Sequence, residues 1–140
     1  MIVENVLPKD YAELLDVWEN SVRATHDFIT EEDIEFFKPI IIEQAFPAVT
    51  LKCVKDASSA IVGFVGVHDK KIEMLFILDT QRGHGIGKVL LQYAIEQLNA
   101  TKVDVNEQNP QAAGFISIWG LKLLLAHRSM IWANPFQFCI

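Results

Sequence analysis

The hydrophobic positions of this chain follow a helical period in some stretches and a strand period in others. Ile2 to Leu7 reads as a short strand. Pro8-Lys9-Asp10 then opens a helix, with Asp10 as its cap and Glu13 three residues on in the arrangement of a capping box. Tyr11, Leu14, Leu15, Trp18 and Val22 share one face of that helix. Thr30 with Asp33 starts a second helix, from Glu31 to about Ala45, which Pro39 is expected to kink or break. Val49 to Lys55 alternates in part, Asp56 to Ser59 turns the chain, and Ile61 to Val67 is a second apolar run. The turn His68 to Lys71 returns it into a third strand ending at Leu78, apolar on both faces except for Glu73. Leu90, Leu91, Ala94, Ile95 and Leu98 restore the helical period, and Lys102 to Val105 is strand again.

Three strands joined by short turns form an antiparallel meander. The strand at Lys102 follows a helix, so it is expected to lie parallel to the Glu73 strand through a right-handed crossover. The fold class is therefore α/β (α+β) with a mixed sheet. A chain of 140 residues suits a single domain spanning residues 1–140, and it holds no linker, repeat, membrane-length apolar run or signal peptide. The expected location is cytoplasmic. A net charge of −6 disfavours nucleic-acid binding, which relies on cations at phosphates, and suits a cationic acceptor such as an amine. Cys53 and Cys139 share no metal-ligand spacing with His26, His68, His84 or His127, so no metal is expected and both thiols read as reduced.

The candidate chemistry sits where the Glu73 strand meets the following helix. Gln81-Arg82-Gly83-His84-Gly85-Ile86-Gly87-Lys88 is a glycine-rich hinge whose backbone N–H groups and helix N-terminus suit a phosphate or pyrophosphate. It is no P-loop, because Arg82 stands where a glycine is needed and Val89 where Ser or Thr is needed. It is no dinucleotide fingerprint either, because counted from Gly85 and Gly87 the third glycine position is held by Leu90.

An Arg ahead of a Gly-x-Gly-x-Gly turn resembles the acyl-CoA pyrophosphate loop of the GNAT superfamily of N-acyltransferases, whose pattern Q/R-x-x-G-x-G/A is met by Arg82, Gly85 and Gly87. Val105 to Phe115 resembles the family's second cofactor segment, and Ala24-Thr25-His26-Asp27-Phe28 resembles a segment beside the cleft in bacterial members. The resemblance runs from about Ile2 to Phe115. It implies a single-domain acyl-CoA N-acyltransferase fold, with the sheet splayed between its fourth and fifth strands and helices flanking it. It implies acetyl-CoA as co-substrate and a small-molecule or peptidyl amine as acceptor, with no nucleic acid or membrane partner and a monomer or homodimer.

By the same resemblance, the backbone of Leu75, Phe76 and Ile77 would pair with the pantetheine amides. Gln81 to Lys88 would hold the pyrophosphate, and Asn109 and Phe115 would contact the cofactor, although a helix N-cap is the other reading of Asn109. Glu73 stands in the place of a general-base glutamate, although a strand glutamate facing solvent is an equal reading. His26 is either a base, an acceptor contact or a solvated loop histidine, and Trp18 either packs in the core or lines the acceptor cleft. The Tyr that acts as thiolate acid in many relatives is Ile116 here. This leaves two alternatives to an N-acetyltransferase: an acetyl-CoA-binding protein without turnover, and a structural interaction domain, for which only the apolar tail speaks.

From Phe115 to Ile140 the chain departs from the family, for this atypical C-terminal segment has no Asp or Glu whereas the residues before it hold all 18. Phe115 to Lys122 can be encoded so that reading one nucleotide earlier yields FYKHMGFK, close to the family's F-Y-x-x-x-G-F-K. A frame change near Gly114 is therefore expected. Coding DNA in which no single-base shift restores that pattern would leave the segment as divergence.

Overall fold

Burial on both faces makes Ile61–His68 the central strand, every residue but the last being buried. In this computed structural model, which describes residues 2–25, 30–81, 83–106 and 122–126, that strand is β3. The sheet has six strands in chain order: β1 (Val3–Asn5), β2 (Thr50–Lys55), β3 (Ile61–His68), β4 (Lys71–Ile77), β5 (Lys102–Asn106) and β6 (Lys122–Ala126). The first four pair antiparallel, and β4–β5 and β5–β6 pair parallel, so the sheet is mixed. β6 lies within the atypical segment after Phe115, most of which is outside the described residues.

Two helical layers cover the sheet. On one face α4 (Ile86–Gln97) packs Leu90, Leu91 and Ala94 against Val62, Val65, Leu75 and Ile77. On the other, α1 (Tyr11–Thr25), α2 (Glu31–Ile40) and the single turn α3 (Phe46–Ala48) enclose Phe64, Met74 and Phe76. Phe64 stands between Phe46 and Phe76, its ring centroid 5.7 and 5.6 Å from theirs. Gly63 lets α4 approach closely. A Cβ there would meet Ile86 Cγ2 at 2.9 Å and both Ile77 Cγ1 and Leu90 Cδ1 at 3.3 Å. Gly63→Ala is expected to cost about 1–3 kcal/mol by overpacking. An unshifted urea midpoint would show that α4 can move aside freely.

The second helix starts as the sequence indicates. Thr30 Oγ1 accepts from the Asp33 N–H at 3.2 Å, and Asp33 Oδ2 accepts from the Thr30 N–H at 3.1 Å. The kink or break expected at Pro39 takes the form of a change of helix type, the regular α-helix ending at Ile40. The helical run passes through it to Ile40, widens into a π turn at Ile41–Ala45 and ends in α3. Lacking an N–H, Pro39 cannot complete the regular ladder, and the wider turn after it keeps the run helical instead of ending it.

The cap expected at Asp10 and Glu13 also differs. Pro8–Asp10 is a 3-10 turn, with the Asp10 carboxylate accepting from the Leu7 N–H at 2.9 Å. Glu13 instead accepts from the Ile61 N–H at 2.7 Å, the first residue of β3. A strand-end donor brought by the fold wins over the local cap.

β4 carries one irregularity. Gly66 pairs with Met74 and Val67 with Ile72, so Glu73 is an extra residue with no partner on β3, a β-bulge. Plain alternation would place Ile72 beside Met74 and Phe76. The bulge turns it to the other face, under α4 with Leu75 and Ile77. Parallel pairing with β5 covers only Lys71–Lys102 and Ile72–Val103, and stops at the bulge. The Lys70 carbonyl closes that end, accepting from Thr101 and Lys102 at 2.8 and 3.2 Å. Beyond Ile72 the two strands part, which is the expected splay between the fourth and fifth strands.

Candidate functional site

Among the described residues, the edge of β4 that faces β5 has no strand partner beyond Ile72. The Leu78 N–H donates to the Val62 carbonyl at 2.9 Å, and the register sets Phe64 opposite Phe76 and Gly66 opposite Met74. In an antiparallel ladder hydrogen-bonded pairs alternate, so Phe76 and Met74 are committed to β3, whereas Leu75 and Ile77 turn their N–H and C=O groups toward the gap. This corrects the expectation for Phe76: its backbone is occupied by the ladder, and its side chain is buried between sheet and helices. An extended amide-bearing chain in the gap would meet two residues, not three.

The gap leads to the glycine hinge. After a 3-10 turn at Asp79–Gln81, Gly83 has φ 82° and Gly85 has φ 84°, a left-handed conformation in which a side chain is strained. Gly85 is the N-cap of α4 and no side chain caps the helix. Val89 N–H bonds the Gly85 carbonyl at 3.0 Å, which leaves the N–H groups of Ile86, Gly87 and Lys88 as the uncompensated donors of the first turn. Ile86 and Gly87 are buried against the sheet, so the donors are held rigidly, and the exposed Lys88 adds positive charge. Three N–H donors at a helix N-terminus are the arrangement that can hold an anion. Gln81 and His84 line a cavity of about 300 Å³ beside the hinge, together with Val54, Lys55, Asp56 and Ile86. Their place is on the β2–β3 flank of the hinge.

Glu73 lies in a second hollow. The bulge presents it to a cavity of about 240 Å³, walled by Gln44, Ala45, Ala48, Val49 and Met74. Its side chain is 30% exposed and its Oε1 lies 2.9 Å from Lys71 Nζ. A carboxylate at the end of an apolar hollow can accept a hydrogen bond from a cationic amine or take its proton. Trp18 is 1% exposed within the cluster of Leu14, Val22, Phe46 and Phe64, which is the packing role of the two that the sequence left open.

The ends of α1 and α2 on either side of segment 26–29 are joined by ion pairs. Arg23 bridges Glu19 at 2.9 Å and Glu31, its Nη2 lying 2.7 Å from Glu31 Oε2, and Lys38 reaches Glu19 at 2.6 Å. Lys38 and then Arg23 hold the Glu19 carboxyl below its usual range despite partial burial. His26, Arg82, Asn109, Phe115 and Ile116 lie outside the described residues.

Sequence reasoning missed two features: the bulge, and a hydrogen bond from the Asp79 N–H to Asn20 Oδ1 at 2.8 Å that ties α1 to the hinge. Only the lone Glu73 in an apolar strand hinted at the first. Nothing local hinted at the second. Cys53 is a buried free thiol pushed up to about 11 by burial, which keeps it protonated and unreactive at neutral pH. Among the described residues no cluster of three or more His, Cys, Asp or Glu is placed to hold a metal, and no helix is long and apolar enough to cross a membrane.

Comparison with known proteins gives the same picture. The family model described as an acetyltransferase (GNAT) domain matches residues 25–118. It ends inside the segment set apart by its lack of acidic residues. The chain is similar to the peptidyl-lysine N-acetyltransferase YjaB of Escherichia coli, 33% identical over 111 residues that make up 79% of this chain and 75% of that protein. The solution structure of apo YjaB from E. coli superimposes with a TM-score of 0.69 and 30% identity, covering 84% of this chain and 80% of that one. The PaiA N-acetyltransferase of Thermoplasma acidophilum, crystallised with coenzyme A, shares the fold with a TM-score of 0.64 at 20% identity, over 84% of this chain and 86% of that one.

Proposed function

The chain belongs to the GNAT acetyltransferase family, and from that premise we propose that it moves an acetyl group from acetyl-CoA to the primary amine of a small molecule or peptide by direct attack in a ternary complex. The observation that carries the reading is the parting of β4 and β5 beside the uncapped N-terminus of α4. Pantetheine would lie along Leu75 and Ile77. The pyrophosphate would meet the N–H groups of Ile86, Gly87 and Lys88, with Arg82 supplying a guanidinium. Calorimetric titration with acetyl-CoA tests the site, and a folded sample that takes up no heat of binding overturns it.

The acceptor side is built on Glu73. The apolar hollow ending in its carboxylate suits an aliphatic stem with a terminal amine, and the peptidyl lysine named for the E. coli relative is one such acceptor. The amine must lose a proton before attack, and Glu73 receives it directly or through water. An N–H of Leu75 or Ile77, directed into the gap, polarises the thioester carbonyl, and the departing thiolate takes up a proton. Glu73→Gln is expected to lower kcat by about a hundredfold or more, with acetyl-CoA affinity within about twofold of the parent. Equal kcat values for the two proteins would remove Glu73 from the chemistry. His26 remains a proposed acceptor contact, tested by an acceptor-specific rise in KM for His26→Ala.

A second reading, acetyl-CoA binding without turnover, is favoured by Ile116 standing where the resemblance places a tyrosine acid. Ile116→Tyr is then expected to raise turnover by about tenfold or more. No gain would show that the thiolate is protonated without a side chain at this position.

A further inference from the structure

We propose that Asn20 is a positioning residue for the cofactor loop, fixing the direction in which the chain leaves β4; the inference rests on acetyl-CoA occupying that loop. β4 ends at Ile77, and Leu78 is the last residue whose N–H finds a partner on β3, the Val62 carbonyl at 2.9 Å. Asp79 is the first residue of the 3-10 turn after the strand, where an N–H has no partner within the turn itself. Asn20 Oδ1 takes that N–H at 2.8 Å, 59 residues away in sequence. The turn then closes through the Gln81 N–H on the Leu78 carbonyl at 2.9 Å.

The hinge beyond it needs such a fixed point. Gly83 and Gly85 both sit at positive φ, and a Cβ at Gly83 would meet nothing within 4 Å, so no packing at that residue steadies the backbone. Among the described residues the hinge is held from its ends, by α4 on one side and Asp79 on the other. α1 is a firm support for the second. Leu14, Trp18 and Val22 anchor it in the core, and Glu13, one heptad before Asn20 and hence on the same face, holds the Ile61 N–H at 2.7 Å. Ile61 adjoins Val62, the partner of Leu78. Two side chains of one helix face thus grip the corner of the sheet where β3 begins and β4 ends. Through that grip, the helix leading into the acceptor side also sets the loop that takes the pyrophosphate.

The test compares the wild-type chain with Asn20→Ala, Asn20→Asp and Asp16→Ala, the last an exposed control on the same helix. Each is titrated with acetyl-CoA by calorimetry and melted without ligand. Asn20→Ala is expected to weaken acetyl-CoA about threefold to tenfold, the range that one side-chain hydrogen bond supports. Asn20→Asp, which keeps an acceptor oxygen, is expected to stay within about twofold at physiological salt, where screening limits the effect of the added charge. Asp16→Ala is expected to bind as the wild type does. In turnover, the Asn20→Ala defect should appear in KM for acetyl-CoA and not in kcat. Wild-type affinity in Asn20→Ala, equal losses in Asn20→Ala and Asn20→Asp, or losses that track melting temperature across the set would each overturn the assignment. A wild-type chain without acetyl-CoA affinity removes the reading of the loop itself, an outcome distinct from those three.

Discussion

Acetyl-CoA affinity is expected to fall at least about a hundredfold when Arg82→Glu and Gly85→Asp are combined, because the first turns a charge-assisted contact to pyrophosphate, worth about 1.5–3 kcal/mol, into a repulsion and the second sets a carboxylate among the remaining donors. Gly85 is the N-cap of α4, and the donors of Ile86, Gly87 and Lys88 open beyond it. A carboxylate placed there is drawn to the same N–H groups as the phosphate and occupies them. The left-handed backbone at φ 84° adds strain of about 1–2 kcal/mol for any side chain. Calorimetry reads the affinity, and circular dichroism confirms that the helices persist. A folded double variant that binds acetyl-CoA as tightly as the parent would place the pyrophosphate elsewhere.

Trp18→Ala is expected to cost about 3–5 kcal/mol of stability, as large aromatic truncations in a closed core do. Trp18 is 1% exposed and shares its cluster with Leu14, Val22, Phe46 and Phe64, all at 0–1%. A cavity of indole size there would loosen α1, and with it the grip of Asn20 on the hinge. Urea unfolding measures the loss. A cost under about 1 kcal/mol would mean that the indole belongs to an open cleft, where truncation leaves no void.

Much of the site was legible because its chemistry is local. A glycine that must take positive φ needs no tertiary context, so Gly83 and Gly85 marked the hinge between strand and helix. Thr30 and Asp33 sit three residues apart, and their reciprocal cap forms within that distance. The same pattern misled at Asp10 and Glu13, where the Ile61 N–H, 48 residues from Glu13, competes for the carboxylate. At Pro39 the sequence left kink and break open for a related reason. Its effect depends on whether the next turn can widen, and Ile41 and Ala45, buried against the sheet, hold that wider turn in place.

By itself, the sequence determined the elements, their order, the mixed sheet and the hinge, since periodicity, turn residues and glycines act over a few residues. Tertiary structure decided where β4 and β5 part and which backbone groups line the gap. The cause is one unpaired residue, Glu73, in a strand otherwise buried on both faces. A strand apolar at nearly every position carries no alternation to show which face each residue takes, so apart from Glu73 itself a one-residue offset leaves no trace in its pattern. Only pairing with β3 reveals it. That pairing commits Phe76 to the ladder and frees Leu75 and Ile77, because hydrogen-bond register is a property of two strands and not of either sequence alone.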